Sequence, residues 1–140
     1  MKKPVVGLFA KVPEPGQVKT RLGEDVGMEE AAQFYAGSLE WMIHRLEASD
    51  APYRLYYAPP DGERELLDRY DSLTVGTLSA QSGEDLGERM LSALEELSAE
   101  YQRPMILVGS DSPDLPLEVL EEAAEELRTR DVVLGPAEDG

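Results

Sequence analysis

Apolar residues along the chain fall into short runs typical of buried strands, separated by longer stretches in which they recur with a helical period. We predict strands in the following runs: Pro4–Ala10, Tyr53–Ala58, Leu73–Leu78, Met105–Val108 and Val132–Leu134. The run Met105–Val108 is wholly apolar, as expected of a central strand covered on both faces. The strand runs therefore predict a sheet with a buried centre.

Helices are predicted between these runs. In Met28–Ala48 the apolar positions step by three and four, on one face of a helix: Ala32, Tyr35, Leu39, Met42 and Leu46. Further helices are predicted over Glu63–Tyr70, over Leu86–Tyr101 and from about Pro116. This alternation of strand and helix indicates the α/β class, a three-layer α/β/α sandwich with a mainly parallel sheet.

Composition narrows the class of protein. The chain has 140 residues, 41% of them hydrophobic, and no cysteine, so we expect one globular domain without disulfides or thiolate metal sites. No apolar run approaches the ~20 residues of a membrane span. Lys11 and Pro13 interrupt the N-terminal apolar stretch, which argues against a signal peptide. We therefore expect a cytoplasmic protein.

His44, Trp41 and the helix tyrosines are assigned to packing.

Charge is distributed unevenly. The net charge is −16, yet every lysine lies within the first 19 positions. Residues 1–22 hold these basic side chains against Glu14 alone: Lys2, Lys3, Lys11, Lys19 and Arg21. An acidic surface repels nucleic acid, so we expect no nucleic-acid partner. A small anion bound at one local basic site remains compatible with this distribution.

The first loop, Ala10–Leu22, is the candidate phosphate site. Ligands of such sheets bind beyond the carboxyl ends of the strands. Gly16 allows close backbone approach, while Lys19 and Arg21 supply positive charge. The P-loop and G-x-G-x-x-G patterns are both absent. The alternative is an ordinary basic loop on the surface.

Two further loops carry candidate carboxylates. Asp111 follows the strand Met105–Val108, where it suits a Mg²⁺ ion that also binds phosphates; the alternative is a turn-forming aspartate. Asp114 fits a turn or a helix cap better. Asp139, after the last predicted strand, is a second metal candidate, and a frayed terminus is its alternative.

The loop Gln81–Met90 is the least specific candidate. Gln81 and Gly83 are placed to meet a base or ribose, and Arg89 a phosphate. Arg89 is equally well placed to pair with Asp85, which lies four residues earlier at helical spacing.

Together these loops resemble a known family. The matching stretches are A-K-x-P-x-P-G-x-V-K-T-R-L at Ala10–Leu22, Q-x-G-x-D-L-G-x-R-M at Gln81–Met90, G-S-D-S-P-D-L-P at Gly109–Pro116 and G-P-A-E-D-G at Gly135–Gly140. The chain resembles the bacterial glycosyltransferase-A-type family of selenodomain-associated transferases, relatives of the molybdopterin- and phospholactate-guanylyltransferases. The family motif continues beyond Asp-Gly, so we expect residues 1–140 to be the N-terminal, nucleotide-binding portion of a longer transferase fold.

The resemblance implies a nucleotide-diphospho-sugar transferase-like (Rossmann-like) fold. It places Lys11, Lys19 and Arg21 at the phosphates, Asp111 on a divalent ion (Mg²⁺ or Mn²⁺), and Asp139 near that ion or the sugar. The leading hypothesis is a metal-dependent glycosyltransferase that transfers a sugar from a nucleoside diphosphate sugar to an acceptor. The alternatives are a nucleotidyltransferase that uses a nucleoside triphosphate, and a catalytically incomplete nucleotide-binding module. No catalytic base, base specificity or oligomeric state is predicted.

Overall fold

The computed structural model describes residues 3–110, 122–123 and 125–128. Within these residues the strands are β1 Val5–Lys11, β2 Tyr53–Ala58, β3 Leu78–Ala80 and β4 Met105–Gly109. The helices are α1 Thr20–Val26, α2 Met28–Ala48, α3 Glu63–Arg69 and α4 Leu86–Glu100, with a 3₁₀ turn at Val75–Thr77.

The strands form a parallel sheet in the order β3-β2-β1-β4. In this sheet β1 is central, with Val6 opposite Tyr53 on one side and Ile106 on the other. The chain adds strands outwards from β1 through β2 to β3 and then returns across the sheet to β4. The direction of strand addition therefore reverses between β1 and β4.

Helices cover both faces of the sheet. Successive β1 residues point to opposite faces, so Val5 and Val6 join different core clusters. One cluster packs the sheet against α2 and α3, and includes Leu8, Leu39, Leu55 and Leu66. The other packs it against α4, and includes Val5, Tyr56, Ala93 and Leu97. The predicted three-layer α/β/α fold with a parallel sheet is confirmed for the described residues.

The longest helix, α2, follows the predicted periodicity. It has 21 residues, with Glu29 and Glu30 in its first turn and Arg45 in its last. These charges complement the helix dipole. Each apolar position predicted to face the core is buried. Trp41, at 58% exposed, and His44 both lie on the exposed side of α2, so their assignment to packing was wrong.

Two local predictions need correction. The third strand was placed at Leu73–Leu78, but β3 is Leu78–Ala80. The residues before it form the 3₁₀ turn, which Thr74 and Thr77 close with reciprocal hydrogen bonds. The helix α1 was not predicted, because it has seven residues and contains Gly23. Gly23 permits α1 to lie directly against Met28 at the start of α2.

The helix predicted from Pro116 and the strand predicted at Val132–Leu134 lie outside the described residues. Within the described part of the chain, no helix combines the length and apolar character needed to cross a membrane.

Candidate functional site

The candidate site lies where the carboxyl ends of β1 and β4 meet. The two strands run parallel, and their register ends with Phe9 opposite Gly109. Strand addition reverses between them, and in parallel sheets of this kind the usual ligand site is the crevice at the carboxyl ends of the strands where the order reverses. The first of these loops is the basic one, and Ser110 begins the second.

The loop after β1 has buried ends and an exposed tip. Val12 and Val18 are 1% and 4% exposed and fix the two ends in the core. At the tip, Gly16 has φ +83°, and a β-carbon built there would have no neighbour within 4 Å. The tip is therefore open on the side where a ligand backbone approach was predicted.

The basic side chains predicted to bind phosphate lie at the two ends of this loop. Lys11 is exposed at the end of β1, and Arg21 is exposed in the first turn of α1. Lys19 is half-buried in a left-handed conformation, φ 49° and ψ 45°, directly before α1. In that conformation the chain turns from the loop into α1, so Lys19 and Arg21 both lie at the N-terminal end of this helix.

A tyrosine hydroxyl joins the ends of β1 and β4. The Lys11 backbone N–H donates to Tyr35 Oη at 2.9 Å, and Tyr35 Oη lies 2.6 Å from Ser110 Oγ in a second hydrogen bond. Tyr35 and Ser110 are 3% and 8% exposed. A buried side chain of α2 thus spans the two strand ends that form the crevice.

Gln81 connects the loop after β3 to the same edge of the sheet. Its Nε2 donates to Ala10 O at 3.2 Å and to Tyr56 O at 3.0 Å, and its backbone N–H donates to Tyr57 O at 2.8 Å. Its Oε1 accepts from Arg89 Nη1 at 3.2 Å. The side-chain amide is therefore engaged at both of its polar atoms.

The start of α4 is held by local bonds. Asp85 Oδ1 accepts from the Glu88 N–H at 2.8 Å, and Arg89 Nε donates to Gly83 O at 3.0 Å. Gly83 has φ +139°, and a β-carbon there would lie 2.7 Å from Glu88 Cβ. Arg89 therefore contacts the loop itself, and Gly83 is required by the close approach of the loop to the helix.

The predicted metal ligands Asp111 and Asp139, and Asp114 with them, lie outside the described residues. The described part of the chain contains no group of three or more histidine or carboxylate side chains able to hold a metal ion. Ser110 directly precedes Asp111, so Asp111 follows the end of β4 that Tyr35 holds.

With this geometry in place, comparison with known proteins identifies the family. A model of the family described as "Uncharacterized protein conserved in bacteria (DUF2064)" matches residues 42–140. The chain belongs to this family. No curated protein matches it at a significant level.

Among solved structures, this member of the DUF2064 family is similar to a crystal structure described as a "putative nucleotide-diphospho-sugar transferase" from Desulfovibrio desulfuricans G20. The two share 36% sequence identity with a TM-score of 0.90, over 100% of this chain. The match spans 61% of that protein. The nucleotide-diphospho-sugar transferase-like fold expected from the motifs is therefore confirmed.

The sequence did not indicate Tyr35 or Ser110 as site residues. Tyr35 was assigned to packing, because it lies on the apolar face of α2, and it is indeed buried. A signal was available: a tyrosine on that face carries a hydroxyl that needs a hydrogen-bond partner when buried. The partner itself is 75 residues away in sequence and could not be identified without the fold.

Proposed function

We propose that this chain binds the nucleoside diphosphate of a nucleotide sugar at the crevice between β1 and β4. We further propose that the protein is a metal-dependent glycosyltransferase, in which the donor sugar is transferred to a small-molecule acceptor. One observation carries the proposal: the basic loop after β1 is attached, through Tyr35, to the strand end that leads to Asp111.

The basic side chains are proposed to bind the diphosphate. Lys11, Lys19 and Arg21 flank an exposed loop tip, in a chain whose remainder is strongly acidic. A guanidinium group donates two parallel hydrogen bonds to phosphate oxygens, and ammonium groups add charge. Gly16 is proposed to let the diphosphate approach the backbone, because its side-chain position is empty.

The loop after β3 is proposed to bind the nucleoside. Gln81 and Arg89 already hydrogen-bond to each other, and Arg89 bonds to Gly83 O. They therefore present a preorganised surface whose shape does not depend on the ligand. Such preorganisation reduces the entropy cost of binding.

Asp111 and Asp139 are proposed as ligands of Mg²⁺ or Mn²⁺. Carboxylate oxygens are the protein ligands that these hard cations prefer, with phosphate and water at the other positions. The ion would supply positive charge to the diphosphate oxygens. Lys19 and Arg21 would share in stabilising the negative charge that the diphosphate gains.

In the proposed reaction, the bond between the anomeric carbon and the diphosphate oxygen breaks, and the electron pair leaves with the nucleoside diphosphate. An acceptor hydroxyl forms the new bond to the anomeric carbon, and its proton is released to solvent. The described residues contribute binding and charge stabilisation, and no general base is assigned among them.

The first test is ligand-induced stabilisation. We expect UDP- or GDP-sugars with Mn²⁺ to raise the melting temperature, since a ligand that binds the folded state stabilises it by mass action. Stronger stabilisation by GTP or CTP would favour a nucleotidyltransferase. Stabilisation by nucleoside diphosphates without turnover of any sugar would favour a binding module. If no nucleotide changes the melting temperature, the proposal is contradicted.

A second test addresses the metal. Asp111→Asn keeps the size of the side chain and removes its charge, so we expect nucleotide binding to lose its dependence on Mn²⁺. Asp61→Asn is a matched control, because Asp61 is an exposed carboxylate after β2, between Pro60 and Gly62. Unchanged Mn²⁺ dependence in Asp111→Asn would remove Asp111 from the site.

A further inference from the structure

The Tyr35 hydroxyl joins β1 to the residue after β4, beyond the last backbone pair between these two strands. The register of β1 with β4 ends at Phe9, so the Lys11 N–H lies two residues beyond the paired segment. There it donates to Tyr35 Oη, and the same oxygen bonds to Ser110 Oγ. One phenol oxygen thus extends the connection between β1 and β4 into the crevice.

The element that carries this oxygen is firmly held. Leu39 and Ile43, on the same helix, are both 0% exposed and pack in the core on the α2 face of the sheet. The phenol ring is itself buried and extends from a 21-residue helix. The hydroxyl that joins Lys11 to Ser110 is therefore carried by a helix anchored in the core and not by a loop. Sites supported in this way hold their geometry more accurately than sites supported by loops alone.

We propose that Tyr35 is a positioning residue of the donor site: its hydroxyl fixes the start of the phosphate loop relative to the start of the Asp111 loop. This inference rests on the proposed function. Tyr35 does not contact the ligand; it acts through Lys11 and Ser110. Loss of the hydroxyl lets the two loops move apart and weakens every interaction that needs both of them.

The variant that isolates this effect is Tyr35→Phe, which keeps the buried ring and removes the hydroxyl. Tyr70→Phe is its matched control. The Tyr70 hydroxyl is also attached to α2, donating to Ala36 O at 2.9 Å, and Tyr70 is 5% exposed. Both variants remove one buried, hydrogen-bonded hydroxyl, but the Tyr70 hydroxyl donates to the α2 backbone, whereas the Tyr35 hydroxyl bonds to Lys11 and Ser110.

The affinities for UDP and GDP with Mn²⁺ are measured by calorimetry, together with the hydrogen-exchange rate of the Lys11 amide. Loss of the hydroxyl is expected to weaken nucleotide binding in Tyr35→Phe by about 5- to 30-fold, and Tyr70→Phe is expected to bind within about 2-fold of the wild type. The Lys11 amide is expected to exchange about 10-fold faster in Tyr35→Phe, because it loses its acceptor. Ser110→Ala is expected to weaken binding similarly, and the double variant less than the product of the two.

Each result decides the inference. Unchanged affinity in Tyr35→Phe, or an equal loss in Tyr70→Phe, would overturn it. A wild-type chain that binds neither nucleotide would contradict the proposed function instead. In that case the exchange rates decide the role of Tyr35: faster exchange at Lys11 confined to Tyr35→Phe supports its control of the two strand ends, and unchanged exchange overturns it.

Discussion

Tyr35 and Gln81 hold the two ends of one peptide unit. The carbonyl of Ala10 accepts from Gln81 Nε2 at 3.2 Å, and the N–H of Lys11 donates to Tyr35 Oη at 2.9 Å. These two backbone groups belong to the same planar peptide. The last peptide of β1 is therefore fixed in orientation by one residue from α2 and one from the loop after β3. The phosphate loop starts from a defined point.

The role of Gln81 in this arrangement can be tested by stability. Gln81→Leu removes the side-chain bonds to Ala10 and Tyr56 and leaves Arg89 without one acceptor. We expect a loss of about 1–3 kcal/mol in the free energy of unfolding, the usual cost of unsatisfied partly buried polar groups. Urea denaturation measures it. Gln33→Leu, on the exposed face of α2, is the control, and an equal effect in both would contradict the assigned role.

The charge of the phosphate loop can be tested with two lysines. Lys19→Ala should weaken binding of nucleoside diphosphates by about 1–3 kcal/mol, the scale of a charged hydrogen bond. Lys3→Ala makes the same change in charge at the opposite end of the sheet, where Lys3 Nζ bonds to Ser49 O just after α2. Calorimetry at constant salt should show a loss for Lys19→Ala alone. Equal losses would indicate a general effect of net charge.

The sequence predicted the fold well where the spacing of apolar residues decides the local structure. The periodicity of α2 and the bounds of β2 are as predicted, because apolar spacing directly reflects burial. The placement of β3 was wrong, because a short apolar run does not distinguish a strand from a 3₁₀ turn. The motifs predict the loops of the candidate site, and the strand order places the described ones, after β1 and β3, at the carboxyl edge of the sheet. The Tyr35 connection could not be predicted, because it joins residues distant in sequence through a single hydroxyl.

Arg54 connects β2 to α4 through an ion network. Its Nη2 lies 2.6 Å from Glu100 Oε2, and its Nη1 pairs with Glu96, while the arginine side chain is 15% exposed. Burial acts to lower the pKa of Arg54, but the hydrogen bond to Glu96 and the charges of Glu100 and Glu96 raise that pKa overall. We expect Arg54→Met to cost about 1–2 kcal/mol, because it leaves the glutamates without their cation. A smaller difference in the free energy of unfolding between the wild type and Arg54→Met at 1 M salt would confirm the electrostatic part of this cost.

Two glycines should respond to alanine in opposite directions. Gly37 lies within α2, and a β-carbon there meets nothing within 4 Å, so Gly37→Ala should stabilise the protein by about 0.4–1 kcal/mol. At Gly83, φ is +139° and the added carbon would lie 2.8 Å from the Arg89 backbone N. Gly83→Ala should therefore destabilise the protein, and it should also weaken nucleotide binding. Thermal unfolding of the two variants side by side checks both signs.

High pH should destabilise the fold through its tyrosines. Burial, with a smaller contribution from Glu47, raises the pKa of Tyr53 from 10.0 to about 12. Burial is also the main cause that raises the pKa of Tyr56 and of Tyr70. The unfolded chain releases these protons near pH 10, whereas the folded chain retains them to higher pH.

Between about pH 10 and pH 12 the unfolded state therefore binds fewer protons, and linkage requires stability to fall as pH rises. Below pH 10 the contribution of these tyrosines is fully present. Urea denaturation at pH 8, 10 and 11 should show this decline, and Tyr53→Phe should reduce its slope, because phenylalanine has no proton to lose. A decline with the same slope in Tyr53→Phe would assign the alkaline loss to other groups.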